Sequence, residues 1–345
     1  TTTPPPSTTA AVGAAAAAAA SSSTPASAAA STTNPKEEWK PLAPMTKFRV
    51  SAGGILTNDH QFLIMGGVDE NEKFLLSCEY YDANTEAWNS LPINMPTCRF
   101  SFGVARVGNR VYVMGGYVGS TLYDSIVSSD LISIDVSGND LSTLSATNKW
   151  ETLTPMNLEQ YGVACVSHSN CIYVFGGYIE VSDMTNKTDT AERYNIDTNQ
   201  WEKLPNMPDI RSGSSAGVIG NKIYVVGGGV DDSVSATTIV FDTSTQQWEP
   251  STAVPDMKTK RSHLSVVIVD HFVIAISGMN LSDGALSTIE VLDTQQNSWN
   301  DAPTPMKHGR YDCVAKFVKE TNAIIIAGGR DDTITVLNTA DSISF

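Results

Sequence analysis

The sequence predicts an all-β chain built from six copies of one four-stranded unit, and two independent periodicities carry that prediction. The first is an apolar run that stops on a pair of small residues: "QFLIMGGV" (61–68), "RVYVMGGY" (110–117), "CIYVFGGY" (171–178), "KIYVVGGG" (222–229), "FVIAISGM" (272–279) and "AIIIAGGR" (323–330). From the first residue of each pair the spacings are 49, 61, 51, 50 and 51. The second is tryptophan: Trp39, Trp88, Trp150, Trp201, Trp248 and Trp299 follow one another at 49, 62, 51, 47 and 51 residues. Two residue types that keep one period mark a repeat, and a four-stranded unit of roughly 50 residues is the size of a propeller blade.

Each unit reads in the same order. A first run such as "FSFGVARV" (100–107) passes through a Gly-Asn type turn into the second strand that ends on the doublet. A third run follows, such as "CEYYD" (78–82) or "TTIVFD" (237–242), and the fourth strand starts at the tryptophan. In four units an Asp or Asn (Asp82, Asn195, Asp242, Asp293) stands six residues before that Trp, where a tight turn needs a side chain that can bond its own backbone.

These residues resemble the kelch-repeat family. The resemblance rests on the glycine doublets (Gly66-Gly67, Gly115-Gly116, Gly176-Gly177, Gly227-Gly228, Gly328-Gly329), the Tyr- and Val-rich strand before them, the Tyr-Asp or Phe-Asp after them and the spaced Trp. It covers roughly residues 38 to 345 and implies a single six-bladed β-propeller with four antiparallel strands per blade. Two departures stand out: the fifth doublet is Ser277-Gly278, and the second unit carries a longer stretch, "SGNDLSTLSATNKW" (137–150). Near Trp39 a fourth strand has no third strand before it, while the last unit runs out close to where its Trp is due. The N-terminal strand is therefore expected to complete the last blade, which removes a sticky sheet edge. The domain expected at 36–345 follows a tail, residues 1–35, of Ala, Ser, Thr and Pro with no Lys, Arg, Asp or Glu; that composition cannot bury a core and reads as disordered.

Charge and motifs narrow the chemistry. The formal net charge of -15 repels phosphate backbones and anionic membranes, so no nucleic acid is expected as partner. No run of 18 apolar residues is present to span a bilayer. The five cysteines include no C-x-x-C pair, which indicates neither a disulfide framework nor a zinc site and favours a reducing, cytoplasmic setting. The doublets fail as phosphate cradles: Gly-Lys occurs nowhere in the chain, no helix pattern follows any doublet, and one catalytic site has no use for six copies. Neither H-E-x-x-H nor G-x-S-x-G appears. The E-x-x-x-D-x-x-x-H expected of iron-dependent kelch specifier proteins is absent too, and no copper ligand set of the kelch-like oxidase kind can be assembled. No metal, cofactor or catalytic residue is predicted. Of the histidines, His263 and His308 fall near strand starts, so the alternative reading is a sugar- or small-molecule-acting propeller in which they and nearby arginines converge on a central pocket.

A further repeat lies in the links between units. Met45, Met95, Met156, Met207, Met257 and Met306 are each followed four residues later by Arg49, Arg99, Gln160, Arg211, Arg261 and Arg310. The resemblance implies that these six ring the channel mouth and, with the loops after the doublets, form a partner-binding face. Guanidinium groups suit bidentate bonds to carboxylates, though each can instead satisfy carbonyls or acids of its own domain. Phe48, Phe100, Tyr117, Tyr123, Tyr161, Tyr178 and Tyr311 supply anchor surface nearby. The same loops carry acids, among them Asp69, Glu70, Glu72, Asp124, Glu180, Asp183, Asp231, Asp232, Asp283, Asp331 and Asp332, so the rim is expected to prefer basic flanks on its partner. The expected function is a monomeric, non-catalytic module that binds another protein.

Overall fold

The second strand of every unit is apolar without alternation, and the structure shows why. In this computed structural model, which describes residues 38–138, 140–181 and 184–345, strands such as Gln61–Met65, Cys171–Phe175, Phe272–Ile276 and Ala323–Ala327 are buried along their whole length. Each lies in the middle of a sheet that is covered on both faces, so period-two patterning is lost.

The described residues form six four-stranded antiparallel sheets. The first holds Gly53–Leu56, Gln61–Met65, Ser77–Asp82 and Ala87–Asn94, and the second Gly103–Val107, Arg110–Met114, Leu131–Asp135 and Glu151–Leu153. The next three repeat the order from Ala164–His168, Ser215–Ile219 and Ser265–Val269. The sixth takes Val314–Val318, Ala323–Ala327 and Ala340–Ser344, and its fourth strand is Lys40–Pro41, with Lys40 opposite Ser342 and Pro41 opposite Asp341. Among the described residues helix is confined to two short 3-10 turns, Leu122–Asp124 and Leu141–Thr143. The all-β architecture with its repeated sheets is that of a β-propeller. The proposed tail at 1–35 lies outside the described residues.

Six apolar cores lie between consecutive sheets. Leu63, Met65 and Tyr80 of the first pack on Val111, Val113 and Ile132 of the second. The pattern continues to a core in which Phe62, Ile64 and Trp88 of the first sheet meet Val314 and Ile325 of the sixth. Four tryptophans also tie neighbouring units through the indole N–H: Trp39 donates to Thr304 O, Trp150 to Asn94 O, Trp201 to Thr154 O and Trp248 to Pro205 O, at 2.8–3.3 Å.

The turns follow the expected chemistry. Asp82, Asn195, Asp242 and Asp293 each accept the backbone N–H two residues on, at 2.8–2.9 Å. The first run departs from the sequence reading, because "FSFGVARV" is not one strand. Arg99–Phe100 belongs to a small rim sheet and Gly103–Val107 to the large one, with Ser101 between them at φ 52° breaking the run. The long stretch of the second unit closes back on the first sheet: Leu141 and Leu144 are buried there, and the Gln61 side chain accepts the Leu141 N–H at 2.8 Å and donates to Asp140 at 2.9 Å.

Candidate functional site

The doublets build the rim. The first residue of each pair lies at φ between 60° and 66°, and a Cβ added to the glycines there would stand 2.3–2.6 Å from the backbone oxygen of the Arg or Gln that opens the next unit. The second residue donates its N–H to that same oxygen: Gly67 to Arg99, Gly116 to Gln160, Gly177 to Arg211, Gly228 to Arg261, Gly278 to Arg310 and Gly329 to Arg49, at 2.7–3.0 Å. Glycine is needed because backbone meets backbone there at a left-handed φ. The repeating methionines are buried beneath, and Met95, Met156 and Met207 approach the doublet of the preceding unit.

The six link side chains do not line the channel mouth, which corrects their assignment as partner contacts. Arg49, Arg99, Gln160, Arg211, Arg261 and Arg310 are 0–3 % exposed. Each turns inward and donates to the carbonyl of the first doublet residue of its own unit, at 2.7–3.4 Å. Acids complete the shell: Arg49 meets Glu79 at 2.8 Å, Arg261 meets Glu290 at 2.8 Å, Arg310 meets Asp341 at 2.6 Å, and Arg211 meets Asp209 at 2.6 Å. A buried guanidinium is tolerated when most of its donors are met, and these inward carbonyls and acids meet them, although Nε of Arg99, Arg261 and Arg310 is buried without a partner. Burial pulls the pKa of Arg99 and Arg261 down, but an arginine stays charged across the working pH range. Gln160 differs from the rest. The acid of its unit, Glu192, is buried and among the described residues forms no ion pair with an arginine; Asn157 donates to one carboxylate oxygen at 2.6 Å, and burial raises the Glu192 pKa.

What does frame the mouth went unread in the sequence. Two residues beyond each link position stand Ser51, Ser101, Gly162, Gly213, His263 and Asp312, all at φ between 51° and 63°. Their backbones form a circular chain: Ser101 N–H donates to Ser51 O, Gly162 to Ser101, Gly213 to Gly162, His263 to Gly213, Asp312 to His263 and Ser51 to Asp312, at 2.7–3.0 Å. Aligning the repeats exposes the position, but its mixed residue types hide the shared backbone shape. The acids Glu79, Glu192, Glu290 and Asp341 also fall at one repeat position and were legible by the same alignment. Behind the mouth lies a cavity of about 190 Å³ that Lys316 and Cys165 help to line. Burial lowers the Lys316 pKa and pushes the Cys165 thiol up to about 12. His263 sits at this mouth, whereas His308 is exposed and outside the lining and the arginines are turned away, so these groups do not converge. Among the described residues no three His, Cys, Asp or Glu side chains gather to hold a metal.

The aromatic residues do come together. Phe74, Phe100, Tyr117, Tyr161 and Tyr178 form a continuous row across the first three units, with successive ring centroids 4.6, 5.1, 4.3 and 4.9 Å apart. The Tyr117 hydroxyl donates to Glu180 at 2.7 Å. Tyr123 stands apart from the row, fully exposed at the tip of the second unit's loop, and Tyr311 is half-buried beside Arg330 in the sixth. Among the described residues every large apolar side chain open to water lies on this side: Leu76, Leu122, Tyr123, Ile126, Leu158, Leu281 and Ile334. The doublet loops carry acids along the same face, with Lys73, Lys187 and Arg330 as cations; Asp183 is outside the described residues.

Fold, doublets and link residues together define a kelch-type propeller. The model of the KLHDC2/KLHL20/DRC7 Kelch-repeats domain matches residues 31–228 and 162–343, and the chain belongs to that family. It is similar to Kelch-like protein 40 of Xenopus laevis, with 28% identity over 238 residues that make up 65% of this chain and 34% of that protein. It is also similar to Kelch-like protein 41b of Danio rerio, at 26% over 252 residues, 70% of this chain and 38% of that protein. Kelch-like protein 25 of Xenopus tropicalis matches at 27% over 222 residues, 64% and 35%. The chain thus spans about a third of the length of these relatives.

Proposed function

We propose that the chain is a non-catalytic protein-binding module, an adaptor or substrate-recognition unit that engages its partner with the face carrying the doublet loops. The observation that carries this is the placement of the water-exposed apolar side chains. Single exposed apolar residues are ordinary on a folded surface, but here they share one face of a rigid scaffold, and Leu122, Tyr123 and Ile126 stand together in one loop. In this reading the six sheets are the blades of one ring spanning residues 36–345. Pairing of Lys40–Pro41 with the last sheet, and the hydrogen bond from Gly329 back to Arg49, support closure by the N-terminal strand. The five free cysteines fit a reducing, cytoplasmic setting.

The direct contacts are Tyr117, Tyr123, Tyr161, Tyr178 and Tyr311 with the apolar loop residues, and the buried arginines hold the loops in position. Capture from source-cell lysate tests this, comparing wild type with a Leu122→Ser/Tyr123→Ser variant and with Lys149→Ser on the opposite face. Loss of the partner only in the loop variant, with unchanged melting, is the expected result; equal recovery by all three defeats the reading. A second reading, a small anionic ligand in the channel, draws on Lys316, for which no described residue supplies an ion pair or hydrogen bond. A thermal-shift screen with small carboxylates and sugar phosphates, repeated on Lys316→Met, decides it.

A further inference from the structure

We infer that the rim over the first three units takes a peptide segment in which arginine stands beside an apolar anchor. This inference rests on the protein-binding reading above and names the chemistry of the partner. Three independent features converge on it.

The anchor site is preorganised. In the second unit's loop the Asp124 carboxylate accepts the Thr121 N–H at 2.6 Å, and the Thr121 hydroxyl accepts the Tyr123 N–H. Leu122 and Tyr123, 58 % and 102 % exposed, are therefore held out on a structured turn. Ile126, 67 % exposed, flanks them from a strand paired to Val118. Fixed apolar side chains bind without first losing conformational freedom.

Beside that anchor runs the aromatic row. Tyr117, Tyr161 and Tyr178 are half-exposed, and the Phe100–Tyr117 and Tyr161–Tyr178 pairs are stacked within 20° of parallel. Rings stacked on one another cover much of each other's faces, so the aromatic surface a partner meets is what the half-buried Tyr117, Tyr161 and Tyr178 leave open; on such surface a guanidinium packs better than an ammonium does.

Carboxylates outnumber cations on the loops around the row. Glu72, Asp124, Glu159 and Glu180 are exposed on this side, against the exposed Lys47 and Lys73 and the half-buried Lys187, which pairs across the strands with Tyr178. Glu180 is already placed by the Tyr117 hydroxyl, with its carboxylate at the edge of the row. Aromatic faces bordered by carboxylates offer guanidinium both a stacking surface and bidentate acceptors. The same acidity disfavours nucleic acid and anionic lipid as occupants.

The test is to pan a phage-displayed library of random peptides on the full chain and measure selected synthetic peptides by fluorescence anisotropy. Three proteins are compared: wild type, the anchor variant Leu122→Ser/Tyr123→Ser, and the charge variant Glu72→Gln/Glu180→Gln. Enriched sequences should pair arginine with an aliphatic or aromatic residue. Binding should weaken about tenfold in the anchor variant, about threefold in the charge variant, and further as salt rises. Selected peptides that are acidic or lack arginine, yet lose binding in the anchor variant, overturn the arginine inference and leave the rim reading standing. Peptides that bind the anchor variant as well as wild type, or no enrichment at all, overturn both. Because the altered side chains are exposed, unchanged melting of each variant shows that the fold is intact.

Discussion

At the residue scale the doublets illustrate how one missing Cβ can hold a rim together. Gly115 sits at φ 62°, and an added Cβ would meet Gln160 O at 2.5 Å. Gly108, in the turn between the first two strands of the same unit, has φ 56° with nothing within 4 Å. The two positions share the backbone strain and differ only in the neighbour. Gly115→Ala should therefore destabilise by about 3 kcal/mol, strain plus clash, and Gly108→Ala by about 1 kcal/mol, strain alone. Chemical denaturation of the two variants checks the difference; equal losses would remove the close approach as the reason for the doublet. Ser277 shows what the fifth unit accepts instead: a side chain at φ 62°, fully buried, with its hydroxyl 3.0 Å from Cys313 Sγ.

At the scale of the element, the link between units is a two-way clamp. Its backbone oxygen receives the N–H of the preceding doublet, and its side chain reaches the doublet of its own unit. Removing one such side chain strands the buried acid beside it. Arg261→Met should destabilise by about 3–5 kcal/mol, and adding Glu290→Met should recover much of that loss, because the uncompensated charge is removed. A double-mutant cycle measures it. In the third unit the clamp is incomplete, since Gln160 stands where the others have arginine and the buried Glu192 takes its hydrogen bonds from Asn157 instead. The folded pKa of Glu192 is raised by burial, so the folded state holds the proton more tightly than the unfolded chain. That contribution to stability is fully present below the unfolded carboxyl pKa and is lost as pH rises through the folded value. Glu192→Gln should then raise stability at neutral pH and do nothing in acid, where the wild-type carboxyl is already neutral. Melting across pH decides this: a gain of the same size at every pH would mean that titration plays no part.

On the scale of the whole molecule, the ends carry the argument for a closed ring. Deleting residues 38–46 removes the strand opposite Asp341 and Ser342, and with it Met45 and the indole bond from Trp39 to Thr304. The expected outcome is aggregation and a lower, broader thermal transition, because the last sheet is left with an open edge. A shortened chain that melts like the full one would refute closure by the N-terminal strand. The exposed loop residues, by contrast, should tolerate substitution without loss of stability, since Tyr123 is fully open to water and Leu122 more than half so.

Periodicity by itself determined the all-β class, the repeated unit, the places of the doublets and tryptophans, and the turn role of Asp82, Asn195, Asp242 and Asp293. These depend on local backbone preference and on equivalence between repeats, both of which a linear chain displays. Only the tertiary structure decided where equivalent side chains point. Arg261 and its counterparts turn inward because acids and carbonyls from elsewhere in the unit outcompete water for them, and no spacing of residues reveals that contest. The circle of backbone bonds from Ser51 to Asp312 and the aromatic row from Phe74 to Tyr178 are likewise assembled from neighbouring units. Their members are distant in sequence and become neighbours only when sheet packs on sheet.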